Sequence, residues 1–235
     1  MHYFLAEFLG TLLLILLGNG VVANVSLNKS KAQGGGFLMV AFGWAIAVFV
    51  GVYLSAPFSG AHLNPAITLS MYILGKITLI QMPMYMFAQL LGAMAGALLN
   101  WVMFRQHFNA TQDSDVQLGV FATMPAIYSP VNNLISEAIG TFVLVIGVLF
   151  IVAPASSLGA LDALPVALLV LGIGVSLGGP TGYAINPARD LGPRMMHQLL
   201  PIKGKGSSGW HYSWVPVLGP FLGALLAVWV FHLVQ

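Results

Sequence analysis

"SGAHLNPAITL" (59–69) and "TGYAINPARDL" (181–191) each set an Asn-Pro-Ala triplet at a break in strongly apolar sequence. Asparagine is a favoured helix N-cap, and proline suits the first helical position because it has no N–H to leave unpaired there. Asn64-Pro65-Ala66 and Asn186-Pro187-Ala188 therefore both read as helix starts. The apolar segments they open, near 64–74 and 186–199, cover about half a bilayer at the rise of a helix. Neither crosses alone. A single Asn-Pro is ordinarily a loop turn, but two copies 122 residues apart, each led in by small residues, make a pair.

The rest of the chain supplies the membrane. Of 235 residues, 58% are hydrophobic and 6% charged, against about 25% charged in a soluble protein. A surface so poor in charge faces lipid. The net charge of +2 is scattered, with no basic run to suggest nucleic acid, and no cysteine is present to form disulfides or thiolate metal sites. Apolar stretches of about 20 residues lie near 4–25, 37–56, 82–104, 133–153, 163–179 and 214–234. The first lacks a basic n-region and a clear cleavage site, so it reads as a retained span. The expected fold is all-α: six transmembrane helices plus two re-entrant half-helices, in one channel domain over 1–235.

The halves echo each other. "AEFLGTLLLILLG" (6–18) aligns with "SEAIGTFVLVIGV" (136–148), and "QLLGAMAGALL" (89–99) with "VLGPFLGALLA" (217–227). Each repeat, approximately 1–105 and 130–235, holds an odd number of spans, so the second inserts upside down. Two half-helices from opposite faces then meet N-terminus to N-terminus, each end carrying about half a positive charge. The junction repels cations, and its Asn amides donate to a passing oxygen. The "SGAH" and "TGYA" segments read as extended, with carbonyls facing a lumen whose other wall is apolar. The pair builds a pore.

"AEFLGT", "SGAHLNPA", "SEAIGTF" and "NPARDLGPR" resemble the aquaporin (major intrinsic protein) family, and in particular its glycerol-facilitator branch, over essentially the whole chain. The resemblance implies a pore in each subunit of a homotetramer, with no cofactor or metal. By distance from the two motifs it places a selectivity filter at Trp44, Gly174, Tyr183 and Arg189, and the pore lining at Gly60, Ala61, His62, Gly182, Ala184 and Ile185. Glycine at 174 leaves room for a carbon chain where water-selective relatives have histidine. Glycerol facilitators usually carry phenylalanine where this chain has Tyr183. Pro216, Val217 and Asp190 in "RDLGPR" also resemble the glycerol branch. The expected solutes are glycerol, water, dihydroxyacetone and protonated lactic acid, with a mainly water-conducting channel as the alternative. The compact loops suit the plasma membrane of a bacterium.

Intramembrane carboxylates often mark proton relays, so Glu7 and Glu137 raise a proton-coupled transporter. Their symmetric placement beside Gly-Thr favours structural support for the loop of each repeat. Asp190, four residues before Arg194, reads as a supporting pair. An intramembrane serine hydrolase would need Ser59 poised against His62. With both termini inside, only Lys76 lies in an inner loop, while Lys29, Lys31, Arg105, Lys203 and Lys205 lie outside. That distribution runs against the positive-inside tendency. "KGKGSSG" (203–209) reads as an exposed flexible loop.

Overall fold

A computed structural model describes residues 1–151 and 155–235, and among them every regular element is helical. Six helices are long and apolar enough to cross a membrane. The first repeat holds α1 (Tyr3–Ser26), α2 (Gly36–Ser59), the half-helix α3 (Pro65–Ile73) and α4 (Gln81–Ala110). A short helix α5 (Ser114–Phe121) follows. The second repeat holds α6 (Pro130–Phe150), α7 (Leu164–Leu177, entered through a 3-10 turn, Gly159–Ala163), the half-helix α8 (Pro187–Leu199) and α9 (Val215–Val234). The expected span 133–153 runs past the end of α6, and its residues 152–153 lie outside the described residues.

The glycine-rich third spans exist to let helices touch. In α4, a Cβ at Gly92 or Gly96 would collide with the Phe8 or Leu12 carbonyl of α1. In α9, a Cβ at Gly223 would collide with the Ala138 carbonyl of α6, and one at Gly219 would stand 2.6 Å from Glu137 Cβ. Lipid tails give no hydrophobic drive for helices to pair, so close backbone approach through small residues supplies the packing. The crossings α1–α4 and α6–α9 are equivalent in the two repeats. The half-helices are exchanged between them: α3 packs on α9, and α8 on α4.

Helix α5 was not anticipated. Asp113 caps it, accepting from Asp115 N and Val116 N, and Gln117, Leu118, Val120 and Phe121 are buried. Gln117 Nε2 donates to the carbonyls of Phe108, Thr111 and Lys203, while Asn28 donates to Thr111 Oγ1 and Ala110 O. These bonds gather the segments bearing Lys29, Lys31, Lys203 and Lys205 at one end of the bundle. Lys205 is no free surface charge: its Nζ donates to His197 O, Gln198 O and Leu200 O at 2.7–2.9 Å, closing the C-terminus of α8. A cation is favoured at that end of the helix dipole. The loop expected to be flexible at 203–209 is pinned there, and Ser208 is buried.

Candidate functional site

Both Asn-Pro-Ala motifs cap helices. Asn64 accepts from Ala66 N at 2.9 Å, and Asn186 from Ala188 N and Arg189 N at 3.0 and 3.2 Å. Both caps are extended, with Pro65 and Pro187 at the first helical position. The amide ends then cross over. Asn64 Nδ2 donates to Ile185 O at 2.7 Å, and Asn186 Nδ2 to Leu63 O at 2.8 Å. Each amide has two hydrogens. One is spent tying the two half-helix starts together, and one remains, with both asparagines on the wall of a cavity.

The segments ahead of the caps are not plainly extended. Gly60, Ala61 and Leu63, and in the second repeat Gly182, Tyr183 and Ile185, have φ between 39° and 79°. An extended chain turns successive carbonyls to opposite sides, whereas interposed left-handed residues let several face one way. Four of the six are not glycine, and such positions persist only where surrounding structure over-determines them. The two glutamates do this. Glu7 accepts from His62 N, Leu63 N, Ser59 Oγ and Gln89 Nε2 at 2.6–2.9 Å. Glu137 accepts from Ala184 N and Ile185 N at 3.0 and 2.8 Å. In both repeats the carboxylate grips the two residues just before the capping asparagine. Neither glutamate lines the cavity.

That cavity, of about 490 Å³, runs from Lys76 and Gln81 at one mouth past His62, Asn64 and Asn186 to Trp44, Tyr183 and Arg189. Val48, Val52, Ile67, Leu144 and Val170 form its apolar side. Gly60, Ala61, Ala184 and Ile185 line it, while Gly174 and Gly182 do not. At the Trp44 end the Arg189 guanidinium lies over the indole ring, 4.2 Å from its centre, and Arg189 is 8% exposed. Among the described residues no hydrogen bond holds that guanidinium, so its N–H groups are free for a solute. Tyr183 turns its hydroxyl away: the oxygen is buried without a partner and would stand 3.0 Å from a Cβ at Gly174. The space above Gly174 is thus filled by the end of the Tyr183 ring, and the lumen meets the ring's apolar surface.

Asp190 and Arg194 are fully buried and paired at 2.8 Å. Asp190 also accepts from Thr123 N and Oγ1, and Arg194 donates to Thr123 O, Ser208 O and Gly209 O. The pair buckles α8 to the segments on either side of it, away from the cavity. Ser59 Oγ is taken by Glu7 and makes no hydrogen bond to His62, whose Nδ1 meets Thr68 Oγ1 at 3.2 Å instead. The nucleophile–base contact of a serine hydrolase is not formed. Gln89, Tyr85, which donates to Ser59 O, and Thr123 escaped notice in the sequence. Gln89 carried a usable signal as a polar side chain deep in an apolar span; Thr123 carried none.

Fold and site together define a multi-pass membrane channel with a lumen framed by two reciprocal half-helices. The family model described as Major intrinsic protein matches residues 1–231, and the chain belongs to that family. It is 50% identical over 232 residues to a protein named probable glycerol uptake facilitator protein from Thermotoga maritima, covering 99% of each chain. A glycerol uptake facilitator protein of Streptococcus pneumoniae is 49% identical, again over 99% of each chain. A D/L-lactic acid transporter of Lactiplantibacillus plantarum is 36% identical, over 98% and 97%. Among solved structures, the aquaglyceroporin from Plasmodium falciparum superposes with a TM-score of 0.86 at 32% identity, over 97% of this chain and 93% of that one.

Proposed function

We propose that this chain is a passive channel for glycerol and other small uncharged solutes, water included, filtered at Trp44, Tyr183 and Arg189 with Gly174 behind the Tyr183 ring. The observation that carries this reading is the two-sided slot. Arg189, lying over the Trp44 ring, offers unspent donors to a cavity that Tyr183 and an apolar side also line, which suits a molecule with hydroxyls along one edge and C–H groups along the other. The names of the relatives at about 50% identity support the polyol. Among the described residues no carboxylate lines the cavity to carry a proton, and the half-helix ends with Arg189 oppose cations. A homotetramer in the plasma membrane is the expected assembly.

Dihydroxyacetone and protonated lactic acid fit the same slot, the latter supported by the likeness to a lactic acid transporter. The lactate anion does not, because stripping its hydration is too costly in a narrow pore. Lactate uptake into proteoliposomes therefore rises as pH falls and the neutral fraction grows; uptake independent of pH would overturn the acid as a solute. The primary test is stopped-flow light scattering on proteoliposomes shocked with sorbitol or glycerol. Rapid re-swelling in glycerol, lost in Gly174→His while water flux persists, supports the polyol filter. Water flux without glycerol influx makes this a water channel.

A further inference from the structure

Gly178 ends α7 in an ordinary right-handed conformation, φ −75° and ψ −18°. Backbone conformation therefore does not demand glycine there, and space does. A Cβ on Gly178 would lie 2.5 Å from Tyr183 Cδ1 and 2.9 Å from Phe37 Cζ. With Gly174 beneath the hydroxyl end, the two glycines, one helical turn apart, form a trough that receives the Tyr183 ring. Phe37 closes its outer side, edge-on to Tyr183 with ring centres 6.1 Å apart. Gly182 N donates to Gly178 O at 2.8 Å, which ties the loop carrying Tyr183 back to this trough.

We propose that Gly178 is a positioning residue for solute selection: its missing side chain lets the Tyr183 ring retreat from the lumen, and so sets the width of the slot between Tyr183, Trp44 and Arg189. The inference rests on the polyol-channel reading and assigns part of its selectivity to a residue that does not line the cavity. Packed interiors do not absorb an added methyl freely. A methyl on Gly178 is caught between Gly174 O of α7 and the Tyr183 ring, each 2.5 Å away, and of the two the side-chain ring is the one that yields, toward the solute. Water, smaller than any polyol, still passes.

The test is Gly178→Ala in proteoliposomes, with glycerol and water permeability read on the same preparation, beside Tyr183→Ala and the double variant. A solute-sized slot narrowed by one methyl loses about tenfold or more in the larger solute, so the glycerol-to-water ratio falls by that factor in Gly178→Ala. The double variant recovers the ratio of Tyr183→Ala, because the ring that was pushed inward is gone. A Cβ at 178 also meets Gly174 O at 2.5 Å, a contact that Tyr183→Ala leaves in place. Failure of the double variant to recover would thus mark a backbone effect and overturn the proposal, as would an unchanged ratio in Gly178→Ala. A wild-type channel that passes no glycerol would instead bring down the polyol reading, and this inference with it.

Discussion

The Arg189 guanidinium is stacked on the Trp44 ring, 4.2 Å from its centre, so one contact both orients this cation and shapes the slot's apolar wall. A buried cation–π contact is worth about 2 kcal/mol. Trp44→Ala removes that restraint together with the largest ring on the wall. Five-carbon polyols then enter faster than through the wild type; xylitol re-swelling rates in proteoliposomes measure this, and rates equal to wild type would show that the constriction lies elsewhere.

Tyr183→Phe has a different expected result. The buried Tyr183 oxygen has no partner, and an unsatisfied buried hydroxyl costs about 1–3 kcal/mol. Removing it leaves the detergent-solubilised protein at least as heat-stable as before, with glycerol permeability unchanged. A marked loss of glycerol flux would mean that the hydroxyl swings into the lumen during passage.

Glu7→Gln replaces one carboxylate oxygen by a donor, which then faces either His62 N and Ser59 Oγ or Leu63 N and Gln89 Nε2. Each buried donor left unpaired costs about 1–3 kcal/mol, and the left-handed residues Ala61 and Leu63 lose what holds them. Thermal unfolding falls well below wild type and solute flux drops. Glu137→Gln, which leaves one of its two backbone donors facing an NH2 group, is harmful by the same mechanism. Retained flux in both variants would reopen the question of what fixes the loops.

For the buried pair, losing both partners costs less than the two single losses added together. Asp190→Asn strands the Arg194 charge and costs about 3–5 kcal/mol. Replacing both by apolar residues of similar size, Asp190→Leu with Arg194→Met, leaves the Thr123 donors unpaired but costs less than the sum of Asp190→Leu and Arg194→Met made singly. A double-mutant cycle of unfolding midpoints measures the coupling, and additive losses would deny it.

Ser59→Ala removes a hydroxyl that donates to Glu7 and accepts from Ala61 N at the wall of the cavity. It lowers stability by about 1 kcal/mol and leaves the channel conducting. Abolished flux with stability intact would give Ser59 a role on the solute path.

Much of this architecture was legible in the sequence because membrane spans are written in long apolar runs and helix starts in Asn-Pro. The paired glutamates were legible too, since a carboxylate in lipid must have donors, and the nearest unpaired donors belonged to the loop of the same repeat. The backbone of "SGAH" and "TGYA" was misread as extended: nothing in Ala61, Leu63, Tyr183 or Ile185 announces a left-handed residue, and only Glu7 and Glu137 acting across the fold impose it. Helix α5 was hidden because its eight residues are amphipathic in a polar linker, where Asp113 was the one available marker. Gly174 could be matched by spacing, but that Tyr183 fills the room it leaves depends on α2, α7 and the loop converging. Such contacts join residues far apart in the chain.

The crossed amides of Asn64 and Asn186 bear on how the chain is made. During synthesis the first repeat emerges with α3 already capped, yet the acceptor for Asn64 Nδ2 is Ile185 O, and Asn186 must arrive to hold Leu63 O. Until the ribosome has passed the second triplet, Glu7 of the same repeat holds the first loop, but Asn64 Nδ2 has no acceptor across the centre and Leu63 O has no donor. A conducting lumen therefore belongs to the completed polypeptide, because each half supplies the acceptor that the other half's asparagine needs.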